Sequence, residues 1–369
     1  MNWSKDTLLI LSIASVFISC ARNDLTRNKN SKPSVSIKGL DSCSVDSFYI
    51  WPKSDLKTKY TSAWSDGKNA RKYFFNYPSK SFDYLDFNNE VHVELFKVEN
   101  ALEDKIQGVA IISRDSIIFL LNSGLAIYND KGYKMLEYEF DEDEVNNWEW
   151  DCDYNPPIYT GDGLLYSRRH KFQRKSVSGY YSFKEKKIIP IPHKFPKPRK
   201  GNVGLLNQYS QIYFKNKVAT LFNPYSEIYV YDLISKEEQK YDIRSSFDSG
   251  FLPLLNKGKI DVNHHFVTSG NYYRFVYNPF RNQFYIVYLH PQTLKNDFGY
   301  FNDPFLNRNV SLIVIDGDFE NKREYVFSSS FFWFHFLMYP TAQGIIVKAA
   351  QTKENYQQMG TKHYILNCP

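Results

Sequence analysis

Asp141 to Tyr154 reads DEDEVNNWEWDCDY and carries the densest chemistry in the chain. Trp148 and Trp150 stand two residues apart, so an extended backbone puts both indoles on one face. Indole faces attract cations and apolar C–H surfaces. With Asp151 and Asp153 beside them, the pair forms a candidate platform for a sugar ring or a cationic ligand. A packing role competes with this reading, because large aromatics surrounded by strands are usually core. As a calcium loop the run fails: it lacks the glycine at the sixth position and the carboxylate at the twelfth that an EF-hand requires.

Other candidates are weaker. RRHKFQRK (Arg168 to Lys175) and HKFPKPRK (His193 to Lys200) could meet anionic lipid, but charge runs of this kind usually form solvated hairpin tips. His264 and His265 are adjacent, and adjacent residues of a strand point to opposite faces, so the two rings are poorly placed to share a metal. The chain holds no G-x-S-x-G elbow, HExxH helix, P-loop or CxxC pair, so no cofactor and no metal site is expected. Asp151 and Asp153 are the nearest approach to paired catalytic carboxylates, and acid and base roles cannot be assigned without distances.

The N-terminus reads as an address. TLLILSIASVFIS, Thr7 to Ser19, follows Lys5 and ends at Cys20; it is short for a helix crossing about 30 Å of hydrocarbon and suits a secretory leader. Phe17-Ile18-Ser19-Cys20 resembles a bacterial lipobox, which implies cleavage before Cys20 and acylation of that residue. Phe17 departs from the usual leucine. The following polar segment, broken by Pro33, cannot bury enough surface to offset its ordering entropy and reads as a tether. Ala21 after the cysteine is similar to lipoproteins of the outer membrane, and the missing acidic cluster favours the periplasmic face over the cell surface. Cys43, Cys152 and Cys368 then remain, an odd number that allows one internal disulfide at most.

The elements that position these residues are strands. Of 369 residues 43% are hydrophobic and 17% aromatic, a composition that favours pleated, half-buried surfaces. Lys and Arg number 46 against 40 Asp and Glu, spread along the whole length, which lacks the basic stripe that nucleic acid needs. FNPYSEIYVYD (Phe222 to Asp232) and YNPFRNQFYIVYL (Tyr277 to Leu289) repeat one phrase: apolar strand, Pro/Asn turn, alternating strand. FNYPSKSFDYLDF from Phe75, LMYPTAQGIIVKA from Leu337, IISRDSIIFLLN from Ile111 and IYTGDGLLYSR from Ile158 vary it, which makes six hairpins. Pro224 and Pro279 are expected in equivalent turns, with Tyr229 and Tyr285 matched in burial. Units of three or four strands recurring about every 50 residues suit an all-β, six-bladed propeller, with a two-sheet β-sandwich as the alternative.

With its lipobox, polar tether and six recurrent hairpins, two of them with an N-P turn, the chain resembles the six-bladed, TolB-like propeller lipoproteins of uncharacterised function from Gram-negative, Bacteroidetes-type bacteria. That resemblance covers roughly Cys43 to Pro369 and transfers no catalytic residue. It implies a leader at 1–19, a lipidated cysteine and tether at 20–42 and a propeller at 43–369. SFYIW (Ser47 to Trp51) would then complete a blade built from the C-terminus, and ring closure would bring Cys43 to Cys368 as a disulfide. The expected role is a lipid-anchored binding or scaffolding module for an envelope glycan, peptide or protein. A propeller hydrolase or lyase with its site in the central channel is the alternative, and a structural accessory to a transporter or sensor a third.

Overall fold

The computed structural model describes residues 43–50, 64–66, 71–76, 79–97, 106–113, 116–141, 147–150, 155, 157–170, 176–192, 209–223, 225–248, 267–294, 308–328, 338–349 and 361–369, all within one compact unit, Val35–Pro369. After β1 (Ser44–Ile50) the chain builds antiparallel sheets in succession. Blade one is β2 (Trp64–Asp66), β3 (Arg71–Asn76), β4 (Ser81–Asp86) and β5 (Val91–Lys97). Blade two is β6 (Ile106–Ser113), β7 (Ser116–Leu121), β8 (Gly124–Asn129) and β9 (Lys134–Glu139). Blade three has five strands: β10 (Trp148–Trp150), β11 (Ile158–Tyr159), β12 (Gly163–His170), β13 (Ser176–Ser182) and β14 (Lys187–Pro190). Blade four is β15 (Tyr209–Phe214), β16 (Lys217–Phe222), β17 (Glu227–Asp232) and β18 (Glu238–Asp242). Blade five is β19 (Asn271–Asn278), β20 (Gln283–Leu289), β21 (Val310–Asp316) and β22 (Lys322–Phe327). Blade six is β23 (Tyr339–Thr341), β24 (Gly344–Lys348) and β25 (Thr361–Asn367), with β1 as its outer strand.

Burial follows position within a blade. Middle strands are covered by neighbouring blades on both faces, so they need continuous apolar runs: SIIFLL in β7, QFYIVYL in β20, VSLIVID in β21. Fourth strands have solvent on one side and read as polar segments such as EQKYD in β18 and KMLEYE in β9. Six separate apolar cores result, one between each adjacent pair. Phe75 and Phe82 meet Phe119 between blades one and two, Leu120 meets Leu164 between two and three, and Leu165 meets Val218 between three and four. Leu221 and Phe284 share the core between four and five, Val287 and Ile345 that between five and six. Phe74 and Leu85 meet Tyr339 and Ile346 between one and six, which closes the ring. A sandwich would bury one core between two sheets, so that alternative is overturned. The fold is a six-bladed β-propeller.

Closure uses the N-terminal strand. β1 pairs with β25 from Ser44 opposite Asn367 to Ile50 opposite Thr361, so the outer strand of the last blade comes from the other end of the chain. Cys43 and Cys368, 325 residues apart in sequence, are disulfide-bonded beside the first of these pairs and buried.

The hairpin phrases are hairpins, but their expected equivalence is corrected. FNPYSEIYVYD joins β16 to β17, second strand to third; YNPFRNQFYIVYL joins β19 to β20, first strand to second. Tyr285 is fully buried on a middle strand, whereas Tyr229 is partly exposed on β17. Tyr339-Pro340 lies inside β23 and the turn falls at 342–343. Any tight turn of a meander draws on the same residues, so a turn phrase does not reveal which pair of strands it joins.

Antiparallel alternation sorts the connections between two faces. Turns from first to second and from third to fourth strands, each two to five residues, share one face. The opposite face takes the blade-to-blade links of 8 to 28 residues and the 20- and 12-residue connections after β20 and β24.

Candidate functional site

The innermost strand of blade three is broken. β10 and β11 both pair with β12, Trp148–Trp150 against His170–Arg168 and Ile158–Tyr159 against Leu165–Leu164. First strands of neighbouring blades adjoin one another around the centre, β15 with β19, β19 with β23 and β23 with β2. β10 therefore belongs to the innermost ring of strands. Trp148 and Trp150 are in the sheet, which matches the extended backbone expected from their spacing. For the basic run from Arg168, the hairpin-tip expectation is corrected at its first three residues only: Arg168, Arg169 and His170 are β12 residues in register with β10. Arg168 is buried, with its guanidinium carbon 5.7 Å from the centre of the Phe140 ring. Cys20, Asp151, Cys152, Asp153, His264, His265 and residues 171–175 and 193–200 lie outside the described residues.

Within the break, Asn155 ties blade three to the first strand of blade four. Its side-chain amide donates to Tyr209 O (3.0 Å) and its carbonyl accepts from Gln211 N (2.9 Å), satisfying backbone of β15 that an unbroken neighbour would otherwise approach. Hydroxyls continue this polar seam between blades three and four. Ser167 hydrogen-bonds the Tyr209 hydroxyl; Ser178 lies 3.3 Å from the same oxygen and donates to Gln211 Oε1 at 2.5 Å. Gln211 Nε2 and Thr220 Oγ1, on cross-strand partners, are buried with no hydrogen-bond partner. The described seam thus offers neutral donors and acceptors, a chemistry that orients a polar ligand without transferring protons.

Two buried polar clusters elsewhere escaped the sequence reading. In blade one, Asp83 accepts from Asn76 Nδ2 (2.7 Å) and Ser81 Oγ (2.5 Å) and pairs with His92 Nε2 (2.7 Å). The residue types match a hydrolytic triad, but the carboxylate sits in the middle and the serine does not reach the imidazole, so no nucleophile is activated. In blade five, His290 Nε2 lies 2.7 Å from Ser311 Oγ, and Glu324 accepts from Ser245 Oγ and from the amide and hydroxyl of Ser246. Burial pushes the His290 pKa down to about 4. Arg308, fully buried, donates to the carbonyls of His290 and Ser269 and ties the start of β19 to the end of β20. The partners of each cluster come from different strands, so no linear motif announces them. Among the described residues, no group of three or more His, Cys, Asp or Glu could hold a metal ion.

Comparison with known proteins places the fold. The profile of a domain of unknown function, DUF4221, matches residues 23–324. A DUF4221 member from Bacteroides vulgatus superposes with a TM-score of 0.67 at 15% identity, over 91% of this chain and 99% of that one. A protein of Bacteroides fragilis, inferred to be exported, superposes at 0.50 with 8% identity, over 88% and 95% of the two chains. No curated protein is detectably similar in sequence. At these identities the structural likeness shows the propeller and nothing finer.

Proposed function

This chain belongs to the DUF4221 family, and from that premise we propose that it is a binding module held at the bacterial envelope by an acylated Cys20. Its ligand, an envelope glycan or a cationic peptide, is taken at the centre of the propeller beside blade three. The broken inner strand carries this reading: it sets Trp148 and Trp150 on β10 and adjoins the neutral polar seam, and Asp151 and Asp153 follow directly in sequence. Propellers concentrate binding groups where connections gather around the channel. The leader, the lipobox cysteine and the tether support an envelope location, at the periplasmic face of the outer membrane.

A thermal-shift screen of the chain from Ala21 onward against envelope oligosaccharides and cationic peptides tests the reading. A true ligand at 100 times its Kd stabilises by about 2.7 kcal/mol, a readable shift. Trp148→Ala and Trp150→Ala should remove the shift. A hit whose affinity is unchanged in both variants would move the site elsewhere, and turnover of a hit would replace binding with catalysis.

A further inference from the structure

We propose that the short-turn face of the propeller docks on the headgroup layer of a phospholipid bilayer, leaving the long-connection face and the centre open to the periplasm. Two independent observations converge on that face. First, the tether starts there: Cys43 precedes β1, and Ser44 pairs with Asn367, the last residue of the third strand of blade six, so Cys43 lies at the end where third strands turn back. Only 23 residues separate Cys20 from Cys43, so an anchor at Cys20 is joined to the propeller at this face. The lipid anchor of the proposed function supplies that part of the argument; the second part is independent of it.

Second, the described large apolar side chains most exposed in turns cluster there. Tyr133 (69% exposed) and Ile234 (73%) occupy third-to-fourth turns of blades two and four, and Phe280 (46%) a first-to-second turn of blade five. Each tip is fixed by a preceding Asn or Asp. Asn129 Oδ1 accepts from Lys131 N and Tyr133 N, Asp232 Oδ1 from Ile234 N and Ser235 N, and Asn278 Oδ1 from Phe280 N. These rings hold the turn backbone, so the apolar side chains are presented outward at little further entropy cost. Exposed Lys131, Lys184, Lys215 and Lys236 share the face and can reach lipid phosphates. Exposed Glu90, Asp130, Asp162, Glu185, Glu237, Asp318 and Glu320 lie in the same set of turns and offset these lysines, so attachment comes from the apolar tips and resists salt. A protein partner would be met by one contiguous patch; separated single apolar tips around a ring suit a planar interface instead.

The test uses the mature chain with Cys20 replaced by an N-terminal histidine tag, bound to phosphatidylethanolamine/phosphatidylglycerol vesicles that contain nickel-chelating lipid. It is tethered there whether or not Cys20 is ever acylated. In a Cys152→Ser background, a fluorophore is placed by Ser235→Cys or Gln343→Cys on the short-turn face, or by Ser123→Cys in a turn of the opposite face, and brominated lipid serves as quencher. About twofold quenching at 235 and 343 with none at 123 is expected, since interfacial groups sit roughly 5–10 Å into the headgroup boundary. Tyr133→Ser/Ile234→Ser/Phe280→Ser, all exposed and so harmless to the fold, should abolish the quenching while the tag keeps the protein on the vesicle. Quenching at 123, equal signals at all three sites, no quenching at any site, or a pattern unchanged in the triple variant would overturn the proposal. Flotation of the full-length chain and its Cys20→Ala variant from cells reads the anchor separately, so failure of either idea is recognised on its own.

Discussion

Asn155 shows how much one side chain can carry. It holds two backbone groups of β15 from the neighbouring blade, and Asn155→Ala would remove a donor to Tyr209 O and the side-chain acceptor of Gln211 N in a buried setting. A loss of about 2–4 kcal/mol is expected, read as a lower urea midpoint with an unchanged slope. His290 makes the fold sensitive to acid. Burial holds its imidazole neutral down to about pH 4, while the unfolded chain protonates it near 6.5, so the unfolded state binds the extra proton between those values. Stability from this residue is complete above about pH 6.5 and is lost as pH falls towards 4, by about 3 kcal/mol at most. Melting curves from pH 4 to 7 should therefore be less steep in pH for His290→Gln than for the parent.

At the scale of elements, the strands were legible because middle strands buried on both faces must be long apolar runs, and SIIFLL and QFYIVYL admit little else. Register was not legible from the Pro/Asn phrases, which recur in both kinds of turn. A better signal ends the third strands: Asp86, Asn129, Ser182, Asp232 and Asp316 each close one and accept backbone N–H groups of the following turn. Those five positions mark one turn per blade. Of the candidate site, the tryptophan pair on a strand was readable, and its pairing with Arg168–His170 was not, because about twenty residues separate them and nothing local encodes the partner. Turn backbone also yields a graded test. A Cβ on Gly344 (φ +149°) would stand 2.2 Å from Leu366 O, whereas one on Gly161 (φ +100°) meets nothing within 4 Å. Gly344→Ala should cost about 1–3 kcal/mol by melting, and clearly more than Gly161→Ala, which carries backbone strain alone.

For the whole molecule, closure joins the chain ends twice, by the β1–β25 ladder and by the Cys43–Cys368 disulfide. Linking residues 325 apart restricts the unfolded chain by a loop-entropy estimate of about 6 kcal/mol, so Cys43→Ser/Cys368→Ser should lower the melting temperature by several degrees. Proteolysis of that variant should begin in blade six. Closure also places Cys43 on the short-turn face, so an anchor at Cys20, as proposed above, would leave the broken strand of blade three open to a ligand from the other side. The most direct test of that role is calorimetric titration of the strongest glycan or peptide hit into the parent and into Trp148→Ala/Trp150→Ala. The account predicts saturable one-site binding by the parent and at least a tenfold weaker Kd in the variant, about 1.4 kcal/mol or more, with the variant still folded. Equal affinity in a folded variant would contradict it.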